Sequence, residues 1–453
     1  QDSIWAIGRP NATDLCLRCH FPQGWLEGRS DPTNASLMQG SDHDGVHCGM
    51  CHRLTDPFFE TTYLGIREGA DWLNYWDETD LSNTPSADAA NDAYLLDEAA
   101  SATIGLFNGN SFFEPGSNLP HSPNYTENAG GQFFVDPAGD RRGPFADANA
   151  SHAMVYSRYH KSKYFCSTCH DVSNPVLANQ GFPDAEPNDG VTVLPSELDS
   201  AHSYGHVERT FSEFMLSDFG LPGGAPGSGT YAPEDLPTTL DNNHIARCQE
   251  CPMPDVAGNA ARQYTAGLRP GESTEHPMSG VPAPDMPGGT VWVPWILASC
   301  DPNSPNYDAG NLAILGQGSN VLTLDLEAGL GLDPSSLLDA ADRAMANLQN
   351  AATLEETEYE ELAHSLSFKI LNHTGHKLLS GFPEGRRIWV NVRFYDQDDA
   401  LIGEINPYDY DAGTMKGLPY SYTDPDSILP GPLPLSASER HADELVYEMV
   451  PSS

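Results

Sequence analysis

The clearest pattern of apolar and polar positions lies in the last third of the chain. It begins at Asp333-Pro334, a pair that is typical of a helix start. Apolar residues then recur at helical spacing, at Leu337, Leu338, Ala341, Met345 and Leu348. Farther on, Ser365–Leu371 and Ile388–Tyr395 alternate apolar and polar residues, with Val390, Val392 and Phe394 on one face. The pattern predicts a helix followed by a small β domain.

The rest of the 453 residues shows little periodicity. Gly and Pro number 41 and 37, and hydrophobic residues make up 39% of the chain, which predicts a high content of loops. Short helical stretches are expected near Ala70–Tyr75 and Tyr94–Ile104, within an elaborated polar excursion at 61–150. We therefore divide the chain into a main domain at 1–332, a connecting helix at 333–352 and a β domain at 353–453.

Charge and hydropathy limit the partners of this chain. It has 64 acidic and 22 basic residues, for a formal net charge of −42. Such a surface repels nucleic acid and anionic membranes and favours cationic partners, although solubility in a salty medium explains it equally well. The apolar stretch Val291–Ser299 is too short for a membrane span and contains Pro294, so we predict no transmembrane segment.

The decisive motif is Cys-x-x-Cys-His, the attachment sequence of c-type haem. It occurs three times, as Cys16-Leu-Arg-Cys19-His20, Cys48-Gly-Met-Cys51-His52 and Cys166-Ser-Thr-Cys169-His170. In such a motif the two thiols bind the haem vinyl groups and the histidine binds iron. A zinc site would need two pairs to converge on one metal, and a redox dithiol does not need the histidine. The motifs predict three haems c with His20, His52 and His170 as proximal ligands.

Haem attachment through thioether bonds predicts a compartment for the protein, because it takes place outside the cytoplasm. The chain also starts at Gln1 without a Met, as a processed mature form would. We therefore expect an exported protein, periplasmic or extracellular.

Electron-transfer haems need a second axial ligand, usually His or Met. We single out histidines that lie in turns, near the motifs or in a Pro/Gly loop, namely His376, His160, His152, His276, His43 and His47. His376 ranks above its neighbour His373 because Gly375 lets the backbone approach a flat ring closely. Each of them could instead be a surface or capping residue. Arg386 and Arg387 are candidates to pair with haem propionates, and a surface role is as well supported.

A family resemblance joins these motifs over nearly the whole chain. The matching segments are 16–30, 44–53, 166–175, 208–214, 372–378 and 381–389, and they include Asn372-His373-Thr374-Gly375-His376-Lys377. Together they resemble a family of exported multihaem c-type cytochromes with a C-terminal β domain. The resemblance implies an α+β fold with high coil content, in which a multihaem core with few short helices precedes a β-sandwich-like domain. It also implies electron transfer.

The chain departs from that family in two places. Where the family has a fourth Cys-x-x-Cys-His, this chain has Cys248-Gln-Glu-Cys251-Pro252, and proline offers no nitrogen to iron. The pair is then either a disulfide or the site of a fourth haem whose ligand comes from elsewhere. The β domain also ends early, so that the chain is a fragment or another chain completes its sheet. Cys300 makes the cysteine count odd, at nine.

Three functions follow from these observations. The first is an electron carrier with closely spaced haems, each bound by two protein ligands, which passes electrons to a cationic redox protein or another cytochrome. The second is a haem enzyme, such as a reductase of a small oxyanion, with one open iron position; the net charge of −42 disfavours an anionic substrate. The third is a homo-oligomeric subunit of an extracellular cytochrome polymer. We expect the carrier rather than the enzyme.

Overall fold

A computed structural model describes most of the segments that carry these motifs. The described residues are 12–30, 37, 39, 42, 45–55, 134–136, 139–144, 152, 154–178, 204–221, 223–235, 244–251, 253, 255–256, 281–282, 286, 288–315, 333–381, 386–405, 408–409, 414–415 and 446–448. The chain divides into two compact units, residues 1–381 and 382–453. The helical stretches expected near Ala70–Tyr75 and Tyr94–Ile104 lie outside the described residues.

Short helices and two-stranded pairings build the described part of the first unit. Its α-helices are α1 (Ala12–His20), α2 (Pro22–Leu26), α3 (Cys48–Cys51), α4 (Lys163–Ser167), α5 (Thr210–Leu216), α6 (Trp292–Ala298), α7 (Ala309–Leu315) and α8 (Pro334–Asn350). Its strands are β1 (Leu54–Thr55), β2 (Phe134–Val135), β3 (Arg141–Gly143), β4 (Met154–Tyr156), β5 (Val172–Ala178), β6 (Tyr204–Glu208), β7 (Ala225–Pro226), β8 (His244–Ile245), β9 (Asp255–Val256), β10 (Val281–Pro282), β11 (Ala352–Glu360) and β12 (Ser365–Asn372).

Each of these described strands pairs with the strand next to it along the chain. The pairs are β1–β2, β3–β4, β5–β6, β7–β8, β9–β10 and β11–β12. Only β3 and β4 run parallel; the other five pairs are antiparallel. Such local pairings cannot enclose a large core on their own, so the packing around the motifs has to come from side chains and buried polar contacts.

The helix expected after Asp333 is confirmed as α8. The Asp333 carboxylate caps it by accepting the backbone N–H groups of Ser335, at 3.1 Å, and Ser336, at 3.4 Å. Pro334 occupies the first turn, where its missing N–H group costs nothing. Ala341 and Ala344 are buried on the side of α8 that packs on α6. Local capping and helical spacing therefore suffice to place this helix.

The strand expected at Ser365–Leu371 is also confirmed, as β12 in a hairpin with β11. Its register begins at Ala352 opposite Asn372 and shifts between Glu355 and Glu358, where Glu356 has a left-handed backbone with φ of 51°. In the clustering of the chain this hairpin belongs to the first unit. The boundaries at 332 and 352 stay a prediction, because compactness alone does not define domains.

The single strand expected at Ile388–Tyr395 is wrong in detail. The second unit instead has β13 (Arg387–Trp389) and β14 (Val392–Tyr395), separated at Val390. β13 pairs with β18 (Val446–Glu448), whereas β14 pairs with β15 (Leu401–Ile405). Two different partners, each set by a remote segment, split the alternating run. The remaining described pair of this unit is β16 (Tyr408–Asp409) with β17 (Thr414–Met415).

A small hydrophobic core lies at the second and third motifs. Met50, Leu54 and Tyr159 are its buried residues, and Trp25, Leu26, Val135, Tyr164 and Phe165 pack against them. Beside it, Arg142 and Asp136 form an ion pair at 2.7 Å with both side chains fully buried. Arg142 belongs to β3 and Asp136 directly follows β2, so the ion pair joins these two strands beside the second motif.

No helix in the described part of the chain is long and apolar enough to cross a membrane.

Candidate functional site

Each of the three motifs lies on or directly after a short helix. Cys16 and Cys19 occupy the last turns of α1, which ends at His20. Helix α3 is the second motif itself, and α4 carries Cys166 of the third. Residues three apart on a helix share a face, so the thiol pairs of the first two motifs are presented on one side of their helices, whereas Cys169 of the third follows α4 in a turn. Thiols that share a face suit attachment to the two vinyl groups of one haem.

The thiols of different motifs converge. Cys19 makes a side-chain hydrogen-bond contact with Cys169, which joins the first motif to the third. Cys51 of the second motif is close enough to raise the pKa of Cys169, after the larger effects of the Cys19 contact and burial. Cys166 in turn contacts Cys248 of the fourth pair. All nine cysteines are described and none is in a disulfide. The site therefore presents thiols from four segments in one region.

The second motif has a partner imidazole. The ring centroids of His52 and His160 are 6.0 Å apart, and their planes differ by 13°. His52 donates Nδ1–H to the carbonyl oxygen of Arg142 at 2.6 Å, which leaves Nε2 with its lone pair. An outer hydrogen bond of this kind is typical of metal-binding histidines.

His160 shows the complementary pattern. Its Nε2 bonds the carbonyl oxygen of Cys51 at 2.9 Å, and its buried Nδ1 has no hydrogen-bond partner. Burial lowers the pKa of His160 to about 3, so the ring is neutral. The second motif therefore brings together two imidazoles, each of which keeps one nitrogen lone pair that could bind a metal.

His170 of the third motif faces a carboxylate. Its Nδ1 lies 3.6 Å from Oε1 of Glu208, the last residue of β6. Burial lowers the pKa of His170, but the Glu208 contact raises it more, to about 9. The other oxygen of Glu208, Oε2, is buried without a partner. Sequence reasoning gave Glu208 no role, since the contact depends on the pairing of β5 with β6.

His20 of the first motif is a neighbour of His170. Desolvation lowers the pKa of His20, and the positive charge of His170 lowers it further. The interaction repeats, at the histidines, the approach of Cys19 to Cys169. The first and third motifs therefore approach each other through both their thiols and their imidazoles.

The remaining candidate histidines fall into different environments. His47 caps α3, with Nδ1 accepting the N–H of Gly49 at 3.1 Å, so its lone pair is already used in this geometry. His152 is exposed. His43 and His276 lie outside the described residues. That any of these four histidines binds a haem iron stays a prediction.

The turn that carries His373 and His376 packs on α5. Gly375 lies so close to Phe214 that an added Cβ would be 2.6 Å from its ring, so the flat ring this glycine approaches is Phe214. His373 is buried, and its nitrogens bond the hydroxyls of Ser228 at 2.7 Å and Thr353 at 3.0 Å. His376 instead donates Nδ1–H to the carbonyl oxygen of Lys377 at 2.8 Å, which leaves Nε2 with a lone pair. A role of His376 as a haem ligand stays a prediction.

The arginines expected at propionates lie in the second unit. Arg386 is half-buried just before β13, and Arg387 is the first residue of that strand, opposite Glu448. A role of these two arginines in pairing with haem propionates stays a prediction.

The fourth pair forms a 3-10 turn, Cys248–Glu250, beside α4. The side chain of Gln249 donates to the carbonyl oxygens of Ser162, at 2.7 Å, and His160, at 3.3 Å. Burial raises the pKa of Cys251 to about 12, and this thiol also raises the pKa of Tyr231 after the larger effect of burial. Cys300 is buried elsewhere and donates to the carbonyl oxygen of Ile296 at 3.4 Å.

In comparisons with known proteins, no protein-family model, no curated protein and no solved structure matches the chain. Within the described residues, no group of three or more His, Cys, Asp or Glu side chains is arranged to hold a metal ion by itself.

Proposed function

We propose that this protein is an exported multihaem c-type cytochrome that transfers electrons. The observation that carries the proposal is the convergence of three complete attachment motifs, in which Cys19 contacts Cys169 and Cys51 lies close enough to interact electrostatically with Cys166 and Cys169. Closely spaced redox centres are what electron transfer along a chain of haems needs. A covalently bound haem supplies a one-electron redox centre whose potential depends on its axial ligands and their hydrogen bonds.

In this proposal the chain's own residues divide three tasks. Three cysteine pairs hold the haems, namely Cys16 with Cys19, Cys48 with Cys51, and Cys166 with Cys169. The motif histidines His20, His52 and His170 are the proximal ligands. The outer contacts of His52 and His170, to a backbone carbonyl and a carboxylate, orient these rings and keep Nε2 as the donor nitrogen.

His160 is proposed as the second axial ligand at the second motif. Aromatic contacts help to fix the position of its ring: the ring centroids of Tyr159 and Phe165 lie 6.2 and 4.9 Å from that of His160. A buried lone pair without a partner is costly, and coordination would remove that cost. With both axial positions filled by protein, the second site has no room for a substrate, which favours electron transfer over catalysis there. His376, with its Nε2 lone pair, is proposed as a ligand to another haem.

Visible spectroscopy of the haem-loaded protein tests this function. The proposal expects low-spin spectra from all haems and no response to carbon monoxide. A high-spin band with carbon monoxide binding would instead indicate an open iron and the haem enzyme considered above. Absence of covalently bound haem would contradict both functions. A size measurement on the same sample separates a monomeric carrier from a subunit of a polymer.

A further inference from the structure

Cys248 is a thiol that the proposed haem attachment does not use. Its Cys-x-x-Cys pair is followed by Pro252, which cannot bind iron. The thiol of Cys248 contacts the thiol of Cys166 in the third motif, and its Sγ lies 4.0 Å from the carbonyl oxygen of Lys163. Cys248 is therefore in contact with a cysteine of a haem motif.

A hydrogen bond joins the segments on which the two thiols lie. Gln249, next in sequence to Cys248, donates its side-chain amide to the carbonyl oxygen of Ser162, the residue that caps α4. Within the turn itself, the Glu250 carboxylate accepts the N–H groups of Ala246 at 2.7 Å and Arg247 at 3.1 Å. The turn that carries Cys248 is thus tied to the helix that carries Cys166.

Cys251 has different surroundings from Cys248. It is close to Tyr231, whose hydroxyl lies 3.4 Å from Oδ1 of Asn347 on α8, and to the carboxylate of Glu250. The two thiols of the fourth pair thus have different neighbours, and a short disulfide within the pair competes with the contact between Cys248 and Cys166.

We propose that Cys166 and Cys248 form a reversible disulfide before haem attachment, and that this bond blocks the third haem motif. The disulfide itself is independent of the proposed function, whereas its blocking effect rests on the role of Cys166 in haem attachment. Disulfides of this kind form and persist under oxidising conditions, such as those outside the cytoplasm.

The reaction is thiol–disulfide exchange with a small disulfide or a disulfide-bearing protein. The thiolate of Cys248 attacks one sulfur of that disulfide and releases one thiol. Cys166 then loses its proton, attacks Sγ of Cys248 and releases the second thiol. Two protein thiols are oxidised and one external disulfide is reduced to two thiols. A dithiol reductant reverses the reaction and frees Cys166 for haem.

Disulfide mapping of the full chain made without haem tests the bond. The chain is equilibrated with oxidised glutathione, its free thiols are alkylated, and it is cleaved after Lys and Arg. Cys166 then lies in the peptide 164–209, and Cys248 shares the peptide 248–262 with Cys251. We expect these two peptides to be linked, with fragmentation assigning the bond to Cys166 and Cys248. The link should be lost in Cys248→Ser and kept in the matched control Cys251→Ser.

Three results of the mapping would overturn the proposal. One is a disulfide within 248–262, which leaves the two peptides unlinked. The second is a disulfide between Cys166 and Cys169, which share the peptide 164–209. The third is alkylation of both Cys166 and Cys248 in the oxidised chain. Because the unmodified chain gives the primary result, poor folding of a variant does not affect the conclusion.

Haem loading tests the block separately. When the chain is loaded with haem under oxidising conditions, Cys248→Ser should give a larger fraction of molecules with haem at Cys166/Cys169 than Cys251→Ser or the unmodified chain. Equal fractions would remove the block although the disulfide exists, and a haem thioether at Cys248 itself would also overturn it. Absence of haem from every form would count against the proposed function and leave the disulfide mapping intact.

Discussion

The imidazole rings of His52 and His160 lie with their centroids 6.0 Å apart and their planes within 13° of each other, although 107 residues separate them along the chain. Each ring donates one N–H to a backbone carbonyl, that of Arg142 for His52 and that of Cys51 for His160. The remaining nitrogens keep their lone pairs, and Nδ1 of His160 has no partner. The pair connects the second motif to the segment just before the third.

Replacing His160 tests whether this pair binds one iron. His160→Ala should leave haem content unchanged and convert one haem from low to high spin, with a new response to carbon monoxide, because one axial ligand is lost. His364→Ala is the control, since His364 is exposed and has no proposed role at a haem. Spectra of His160→Ala identical to those of the control would return His160 to a buried packing residue.

Glu208 should tune the haem of the third motif through His170. A carboxylate next to Nδ1 makes the imidazole a stronger donor and favours oxidised iron, so Glu208→Gln should raise one reduction potential. A tenfold change in preference for the oxidised state corresponds to about 59 mV for one electron. Redox titration measures the shift, and Glu404→Gln in the second unit removes the same charge as a control. Equal titrations of both variants would exclude a role for Glu208 in potential.

His373 and His376, the two histidines of the turn that packs on α5, should behave differently when they are replaced. His373→Ala removes the buried imidazole that bonds the hydroxyls of Ser228 and Thr353, which should lower the free energy of unfolding by about 1–3 kcal/mol without altering the haem spectra. His376→Ala should alter the spin state of one haem, with little loss of stability. Denaturant unfolding and visible spectra of both variants measure this, and a spectral change in His373→Ala alone would reverse the assignment.

The buried pair of Arg142 and Asp136 should stabilise the first unit and the orientation of His52. Asp136→Ala removes the carboxylate that neutralises the buried guanidinium of Arg142. It should lower the free energy of unfolding by roughly 3–5 kcal/mol. The exposed pair of Arg393 and Glu404 is the comparison, where Arg393→Gln should have a much smaller effect. A small effect of Asp136→Ala would mean that the neighbourhood of β3 rearranges freely.

The elements that could be predicted from the sequence are those whose causes are local. Asp333 and Pro334 both lie in the first turn of α8, so its start needs no tertiary information. The break at Val390 could not be predicted, because β13 and β14 are separated by their pairing with β18 and β15. The alternation of apolar and polar residues along 388–395 does not indicate which remote segment pairs with each half of the run.

The candidate site divides in the same way. The Cys-x-x-Cys-His motifs are local and were found from the sequence alone. His160 and His152 are equivalent as sequence candidates, and only burial and the bond to the Cys51 carbonyl separate them. The contact of Cys166 with Cys248 and that of His170 with Glu208 likewise depend on segments brought together by folding.

The central claim is that three motifs carry covalent haem, and the intact mass of the denatured protein tests it most directly. Denaturation removes any ligand that is held by coordination alone, whereas thioether-bound haem stays on the chain. The account predicts the mass of the chain plus three haems, at Cys16/Cys19, Cys48/Cys51 and Cys166/Cys169. A mass with fewer than three haems, from protein produced with an active haem-attachment system, would contradict it.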